Sequence, residues 1–453
     1  MTVTIKNQLF RALILLSISM LSTACKVVGP DYVRPETKTP VAYKEAVSST
    51  PTETPAKHIE GHWWTLYGNG ELDQLIGQVE LQNYSLQAVE ARTRQARALA
   101  DIAKASQWPT GLAGGQNDLG ILASWEIDLW GRIKRNIEAS GASAEASVDD
   151  LAAMKLSLQA QLAQNYFNLR VQDAEILLLQ DTTAAYERLL KVTQNQYAVG
   201  VADRANVLQV QTQLNVAQSQ IQEVHVSRAQ LEHAIAVLIG KAPADFSIAA
   251  APITTNVPEI PATLPANLLL RRPDIAAAER RVAAANANIG VAEAAGYPSL
   301  NLFAGVSIRK GLLGGAKVLA PLYSESTAQA NRSQASAAYD EVVADYQQAA
   351  LNSFREVEDN LATLQSLSTA ADNKAEGLKA ARDSLAIMKN QQQVGIINHH
   401  AMMMAQTAAL DGEKATLDVL GRRLVASVNL IKALGGGWQS TVLETTDIPA
   451  ATK

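Results

Sequence analysis

From Ser143 to Val199 the chain contains neither glycine nor proline. At about 1.5 Å per residue this run would make a helix on the order of 85 Å long, several times the ordinary length in globular proteins. The residue palette suits it, because 47% of the chain is hydrophobic while 5% is aromatic, so apolar burial comes mainly from Ala, Leu and Val. After Gly200 a second uninterrupted run extends from Val201 to Ile239. Its apolar or small residues, Val207, Val210, Leu214, Ala217, Ile221, Val224, Leu231, Ile235 and Leu238, alternate three and four apart, with an interruption at Arg228. The arrangement returns as a run from Leu322 to Glu376, a further helical stretch to Val394, then Gly395 and a final helix towards Leu434. Two long helical hairpins are expected.

The hairpins belong to a tandem duplication. Glu90, Trp108 and Pro109 match Glu279, Tyr297 and Pro298 at one constant offset, and Gly200, Gln211, Thr212 and Gly240 match Gly395, Gln406, Thr407 and Gly435 at another. Residues 241–265 hold several prolines and no periodicity, which marks a linker between a first repeat at 63–240 and a second at 266–438. Residues 439–453 read as a flexible tail. Each repeat also carries a short glycine-rich piece after Pro109 or Pro298. Leu300 to Ile308 alternates apolar with small or polar residues, as a half-buried or barrel strand does, and Leu119 to Trp125 could form a similar strand.

The N-terminus has its own logic. Lys6 and Arg11 precede the apolar run Ala12 to Met20, and small residues lead to Cys25, so 1–24 reads as a secretory signal peptide. That run is too short for a permanent membrane helix, and no later stretch is apolar for about 18 residues. Cys25 stands where bacterial lipoprotein signals place the acylated residue, although Leu21 lies one position further from it than usual; an ordinary cleaved signal with an incidental cysteine is the alternative. Lys26 in place of an inner-membrane-retaining Asp favours delivery to the outer membrane. Residues 25–62 then read as an acylated, extended strap rich in Pro, Thr, Ser and Glu.

Composition excludes several functions. A net charge of −5 and a pI near 5.8, with no Lys/Arg tract, argue against nucleic-acid binding. One cysteine cannot form an internal disulfide, and six scattered histidines are poor material for a metal or cofactor site. There is no phosphate loop, dinucleotide fingerprint or nucleophile elbow, and the glycines of Gly311 to Lys317 are wrongly spaced for nucleotides. Carboxylates such as Asp149/Asp150 and Glu356/Glu358/Asp359 lie in helical patterns as solvated or interhelical groups. The chain is expected not to be an enzyme and to hold no cofactor.

Five ordered motifs carry a specific resemblance: Val28-Gly29-Pro30-Asp31-Tyr32, Trp63-Trp64, Trp125-Glu126-Ile127-Asp128-Leu129-Trp130-Gly131, Leu270-Arg271-Arg272-Pro273-Asp274-Ile275 and Ala433-Leu434-Gly435-Gly436-Gly437-Trp438. From Cys25 to Trp438 the chain resembles the TolC-like outer-membrane efflux proteins, in the NodT-type lipoprotein branch. The resemblance implies a mainly α fold of tandem-duplicated helical hairpins, closed as a homotrimer into an α-barrel that carries a twelve-stranded β-barrel. It also implies docking to a periplasmic adaptor and an inner-membrane pump of the RND type, and a passive role as a duct for drugs or other small solutes.

The sequence departs from the family in two places. The strand regions, about 110–125 and 299–322, are short: two membrane-crossing strands need about 9–11 residues each plus a turn, and Gly111 to Ser124 falls well below that. On length, loss of an intact barrel is favoured, which would leave a soluble or lipid-anchored helical module that keeps only the adaptor-docking hairpins. The second departure is the turn before the last helix, which reads Gly395-Ile396-Ile397-Asn398-His399-His400-Ala401-Met402-Met403-Met404, with Ile397 and Met404 where the family commonly has acidic residues. The first repeat keeps Asp203 and Arg204 at the matching turn. The candidate channel constriction is therefore Asp203, Arg204, Asn398 and His399; repeated by symmetry, Asp203 would favour cations, or it is simply the N-cap of a solvated turn. The neighbouring His399 and His400 suit a soft cation by type, but adjacent helical residues do not face one another. A polar turn followed by core methionines is the favoured reading there, with no metal, and His58/His62 and His225/His233 are read as surface or interhelical groups.

Overall fold

In the computed structural model the described residues are 27–45, 61–114, 120–260, 271–307, 311–319, 325–393 and 399–438. The signal peptide, Cys25 and Asn398 lie outside them. A 3-10 turn at Trp63–Tyr67 leads into α1 (Gly70–Gln82) and α2 (Tyr84–Ala105). Asn69 and Asn83 begin these two helices with side-chain caps, accepting from the Leu72 and Leu86 amides at 3.0 and 2.9 Å. The strands β1 (Thr110–Gly114) and β2 (Gly120–Ile127) follow, then α3 (Arg132–Ala198) and α4 (Arg204–Leu238). The second repeat contributes α5 (Pro273–Ala294), β3 (Ser299–Ser307), β4 (Gly311–Leu319), α6 (Glu325–Gln393) and α7 (His399–Ala433).

The duplication is visible element by element. Helices α2 and α5 have 22 residues each, and α4 and α7 have 35 each. The long helices α3 and α6 have 67 and 69 residues, about 100 Å apiece. Both exceed the runs marked by glycine: α3 starts before Gly141, and α6 passes through Gly377 to join the further helical stretch expected up to Val394. A mid-helix glycine costs about 1 kcal/mol, little against packing along such a length. Space is open where a Cβ would sit at either glycine.

The helices lie side by side rather than around one compact core. Near the strands the neighbours run α2, α3, α5, α6; towards the far tips they run α4, α3, α7, α6. The four strands extend the first series as an antiparallel sheet in the order β1-β2-β3-β4, with β2 and β3 joining the repeats. The molecule is thus a sheet of helices and strands with two long edges, α2, β1 and α4 on one side and α6 and β4 on the other.

Its densest packing is a belt at mid-height. Trp63, Trp64, Tyr67, Leu72, Ile76, Val79, Leu162, Tyr166, Phe167, Ile235, Leu424 and Val428 form one buried cluster there. The polar interruption at Arg228 is explained in this belt. Its guanidinium donates to Asp173 at 2.6 Å and to the Ile248 carbonyl at 2.7 Å, while Arg170 donates to Asp173 at 2.8 Å and to the Ala249 carbonyl at 2.8 Å. Arg170 also pairs with Glu71. Two cations and their carboxylates therefore staple the extended residues after the Pro243–Asp245 turn onto α3 and α4.

Candidate functional site

Three features bear on function: the far tips of the hairpins, the sheet with its helical collar, and the N-terminal segment lying across the collar. At the tip of the first hairpin, Gly200 adopts φ +80°, and the amides of Val201 and Ala202 both donate to the Gln196 carbonyl, at 2.8 and 3.2 Å. Asp203 occupies the N-cap position of α4, but its side chain makes no cap hydrogen bond. It and Arg204 are exposed, and neither forms an ion pair among the described residues. Asp203 thus holds the N-cap position of an exposed turn without a side-chain cap: the turn closes through backbone bonds and leaves the carboxylate to solvent. Around it stand exposed apolar groups, Tyr197, Val199, Val201 and Leu208, the two valines 74% and 76% exposed.

At the second tip, His399 opens α7. Met402 and Met403 are buried, whereas Met404, in the place of the family's acid, is 60% exposed. Of the four constriction candidates, Asp203 and Arg204 sit together, His399 begins the equivalent helix, and Asn398 is outside the described residues. The described residues include no group of three or more His, Cys, Asp or Glu suited to a metal. His225 and His233 are exposed on α4.

The opposite end carries the sheet. Register places Ile121, Ala123, Trp125 and Ile127 across from Val306, Ala304, Leu302 and Leu300, which in turn stand opposite Leu312, Gly314, Ala316 and Val318. Strand alternation puts all of these on one face, which among these residues carries no charged, amide or hydroxyl side chain, the Trp125 indole N–H being its one polar group. The other face receives Thr110, Ser124, Glu126, Asn301 and Lys317, together with apolar residues such as Phe303. Gly315 leaves room there for the tip of the Phe303 ring, which a Cβ would approach to 2.9 Å. The described strands have 5, 8, 9 and 9 residues, and residues 115–119 between β1 and β2 lie outside the description.

Where strands meet helices there is an aromatic collar that sequence reading used only as repeat and motif markers. Trp130 stacks on Tyr297 at 4.6 Å and donates to the Pro298 carbonyl at 2.8 Å; Trp125 donates to the Gln107 carbonyl at 2.9 Å; Trp108 is 71% exposed. Aromatics with satisfied N–H groups at a sheet's end suit a membrane–water boundary. The usable signal was the flanking of both glycine-rich pieces by Trp or Tyr. Beside the collar is a cleft of about 520 Å³ lined by Glu126, Asp128, Trp130, Arg132, Tyr297 and Asn301. Arg132 clamps Glu126 with both carboxylate oxygens at 2.8 Å, and Asp128 accepts from the Lys134 amide at 2.8 Å near the start of α3.

Residues 27–45 run extended from this collar down the helices. The Val28 amide donates to the Trp130 carbonyl at 3.0 Å, and Val27 packs on Gly131. Arg135 reaches the Gly29 carbonyl at 3.1 Å and Asp31 at 2.8 Å; its guanidinium holds the Asp31 carboxyl below the usual range. Gly29, at φ +89°, presses on the Gly290 backbone, where its own Cβ would lie 2.4 Å from the Gly290 Cα, and Gly290 in turn makes room for the Arg135 side chain. Further along, Tyr32 donates to Glu279, Asn286 donates to the Pro30 carbonyl at 3.0 Å, and Glu358 accepts the amides of Lys44 and Glu45 at 2.7 and 3.0 Å. Burial raises the Glu279 carboxyl, but the Arg280 and Tyr32 hydrogen bonds outweigh it and its pKa falls. Val27, two residues after Cys25, lies at the collar, against Gly131.

The remaining motifs are structural. Arg272, just before Pro273 opens α5, pairs with Asp274 and Glu356 at 2.7 Å each and donates to the Ala433 carbonyl at 3.2 Å. Gly435, at φ +90°, passes so close to the Arg271 carbonyl that a Cβ would lie 2.0 Å from it. Both motifs thus lock the end of α7 to the start of α5.

The comparisons with known proteins now fall on this geometry. The profile of the outer membrane efflux protein family matches residues 75–241 and 264–436. The pyoverdine export outer membrane protein OpmQ of Pseudomonas aeruginosa is 31% identical over 421 residues, covering 83% of this chain and 88% of that protein. The cation efflux system protein CusC of Escherichia coli is 26% identical over 454 residues, covering 93% of this chain and 98% of the relative. That alignment is longer than the share of this chain it takes in, so the relative carries residues within the matched span that this chain lacks. Among solved structures, the outer-membrane channel OprN superposes with a TM-score of 0.82 at 26% identity, covering 91% of this chain and 100% of that one. The open state of the Neisseria gonorrhoeae MtrE channel gives 0.82 at 25% identity, covering 91% and 99%. With both repeats matched and the tandem hairpins, sheet and collar in place, this chain belongs to the outer membrane efflux protein family.

Proposed function

We propose that this protein is the outer-membrane channel component of a tripartite efflux pump, a passive trimeric duct that carries drugs or other small solutes out of the periplasm. The observation that supports it most is the sheet: four strands with one face of aliphatic residues, glycine and Trp125, mounted on helices about 100 Å long, with β1 and β4 paired on one side only among the described residues. A lipid bilayer tolerates strands only when their edges are closed. A head-to-tail ring of copies joins β4 of one to β1 of the next, and three copies make a twelve-stranded barrel.

The other assignments follow from position. An acyl chain on Cys25 meets the membrane at the aromatic collar, with most of the mass hanging in the periplasm. The division proposed with it is a strap at 25–62, repeats at 63–240 and 266–438, a linker at 241–265 and a tail at 439–453. Asp203, Arg204, Asn398 and His399 ring the periplasmic mouth. The exposed Tyr197, Val199, Val201 and Leu208 offer an apolar tip to a periplasmic adaptor, which links the duct to an inner-membrane pump of the RND type. The relatives' names span pyoverdine, cations and toluene, which suits a duct whose partners choose the cargo.

The test is planar-bilayer conductance of the detergent-purified acylated protein, alongside light scattering. Stepwise conductance from a trimer supports the duct. A monodisperse, water-soluble and non-conducting species from the Cys25→Ser chain would instead establish the module that lost its pore, a reading supported only by the short strands.

A further inference from the structure

We infer that the open side of α2 seats the α6 edge of a second copy of this chain, in a register set by the duplication, with Arg92 facing Asp345 across the subunit boundary. This rests on the ring proposed above and adds which residues meet.

Helices α2 and α5 hold the same place in the two repeats, yet their surroundings differ. Helix α5 packs between α3 and α6, whereas α2 packs on α3 alone among its long neighbours. Glu279, Ala283, Asn286, Gly290 and Ala294 of α5 are all buried, under α3 and the N-terminal segment. Their counterparts on α2, Glu90, Arg94, Arg97, Asp101 and Ala105, are all exposed. The partner helix repeats the contrast. Helix α3 meets α5 through Arg135, Glu145 and Asp150, and the counterparts on α6, Ala330, Asp340 and Asp345, are exposed. The α3–α5 seam therefore exists once within the chain, and its second instance, α6 with α2, needs another copy because these helices lie on opposite edges.

Contacts in the existing seam supply the register. Arg281 pairs with Asp150 at 2.6 Å, and Gly290 sits so close to Arg135 that a Cβ would lie 2.8 Å from its side chain. Carried to the second instance, the first becomes Arg92 with Asp345, and the second becomes Asp101 beside Ala330. The charge complementarity survives: neither Arg92 nor Asp345 has an ion-pair partner among the described residues. The pair Arg280–Glu145, 3.3 Å apart, does not survive, because Ala91 replaces the arginine. Arg94 stands one helical turn away, near the level of Asp340. The lower half agrees independently. On α7, Gly421 packs on Val171 and Lys432 bonds to Ser157, both on α3. Their counterparts on the open edge of α4 are Val226 and Val237, large apolar groups that are 58% and 63% exposed in the single chain. Burial against the next copy's α6 accounts for them.

The test is thiol cross-linking of full-length, acylated protein in outer-membrane vesicles, where the acyl group blocks Cys25. The D101C/A330C double variant should convert on oxidation to covalent dimers and trimers on a non-reducing gel. D101C/A337C, displaced by about 10 Å along α6, should remain monomeric. Reversal of these two results overturns the register. If D101C/A330C stays monomeric while light scattering still finds a trimer, the register is wrong and the ring stands; if light scattering finds a monomer, the ring reading itself fails. A second measurement uses exposed charges alone. Arg92→Glu should lower the temperature at which the detergent-solubilised trimer dissociates, and R92E/D345R should restore it; a double variant no better than the single one excludes the ion pair.

Discussion

On one hairpin, Asp173 is completely buried between Arg170 and Arg228, while Asp203 stands exposed at the tip with no ion pair among the described residues. Both are aspartates on helices with similar apolar spacing. The first is held by neighbours from α3, α4 and the segment after the Pro243–Asp245 turn, so its charge is a structural requirement. The second is held by nothing beyond its own turn, which leaves it available to solute, to a partner, or to the matching groups of other copies. The long helices are thus rigid where they cross the belt and chemically open where they end.

The strongest way to break this contrast is at the belt. Asp173→Ala would leave two largely buried guanidiniums without their shared carboxylate and should cost about 3–5 kcal/mol, read as a fall in the denaturant midpoint. An effect below 1 kcal/mol would mean that water replaces the carboxylate easily. Next comes Gly435→Ala, which forces a Cβ against the Arg271 carbonyl at a left-handed backbone; a loss of more than about 1 kcal/mol is expected in the same assay. At the tip, Asp203→Ala and Arg204→Ala should each stay within about 0.5 kcal/mol of the parent. Yet Asp203→Ala should reduce cation preference in bilayer recordings, and unchanged ion selectivity would remove Asp203 from the constriction.

The smallest effect concerns Asp149, beside α5, whose carboxyl is pushed up to about 6 by burial, with Arg280 opposing and Glu145, Asp150 and Glu279 adding to the rise. Its folded pKa lies above its unfolded value, so its contribution to stability is full below about 3.8 and is lost as pH rises through about 6. Asp149→Asn should therefore raise the melting temperature at pH 7.5 and show no such gain at pH 4. An equal gain at both values would point to packing instead of charge.

How far the sequence was legible depended on the range of the interactions. The hairpins came from glycine-free runs and three-four spacing, both local signals. Six of the nine α4 positions picked out by that spacing, Val210, Leu214, Ala217, Val224, Ile235 and Leu238, are buried. The run of Leu322 to Glu376 and the further helical stretch to Val394 join as one helix, Glu325–Gln393, because a single glycine at 377 costs little against packing on α7. The tip candidates were found by matching repeats. The aromatic collar was missed as a site, since Trp108, Trp125, Trp130 and Tyr297 are far apart in sequence and meet only through strand pairing.

By itself, the sequence determined the long helices, their pairing into two hairpins and their duplication, because helix periodicity and chain breakers act over a few residues. Only the tertiary structure decided which polar groups are sealed and which stay open, how four short strands align to present one apolar face, and where the N-terminal segment runs. Each of these depends on groups brought together from distant parts of the chain, as Arg135 joins Asp31 and as Arg228 joins Asp173. No local pattern distinguishes Asp173 from Asp203; the difference is made by what packs around them.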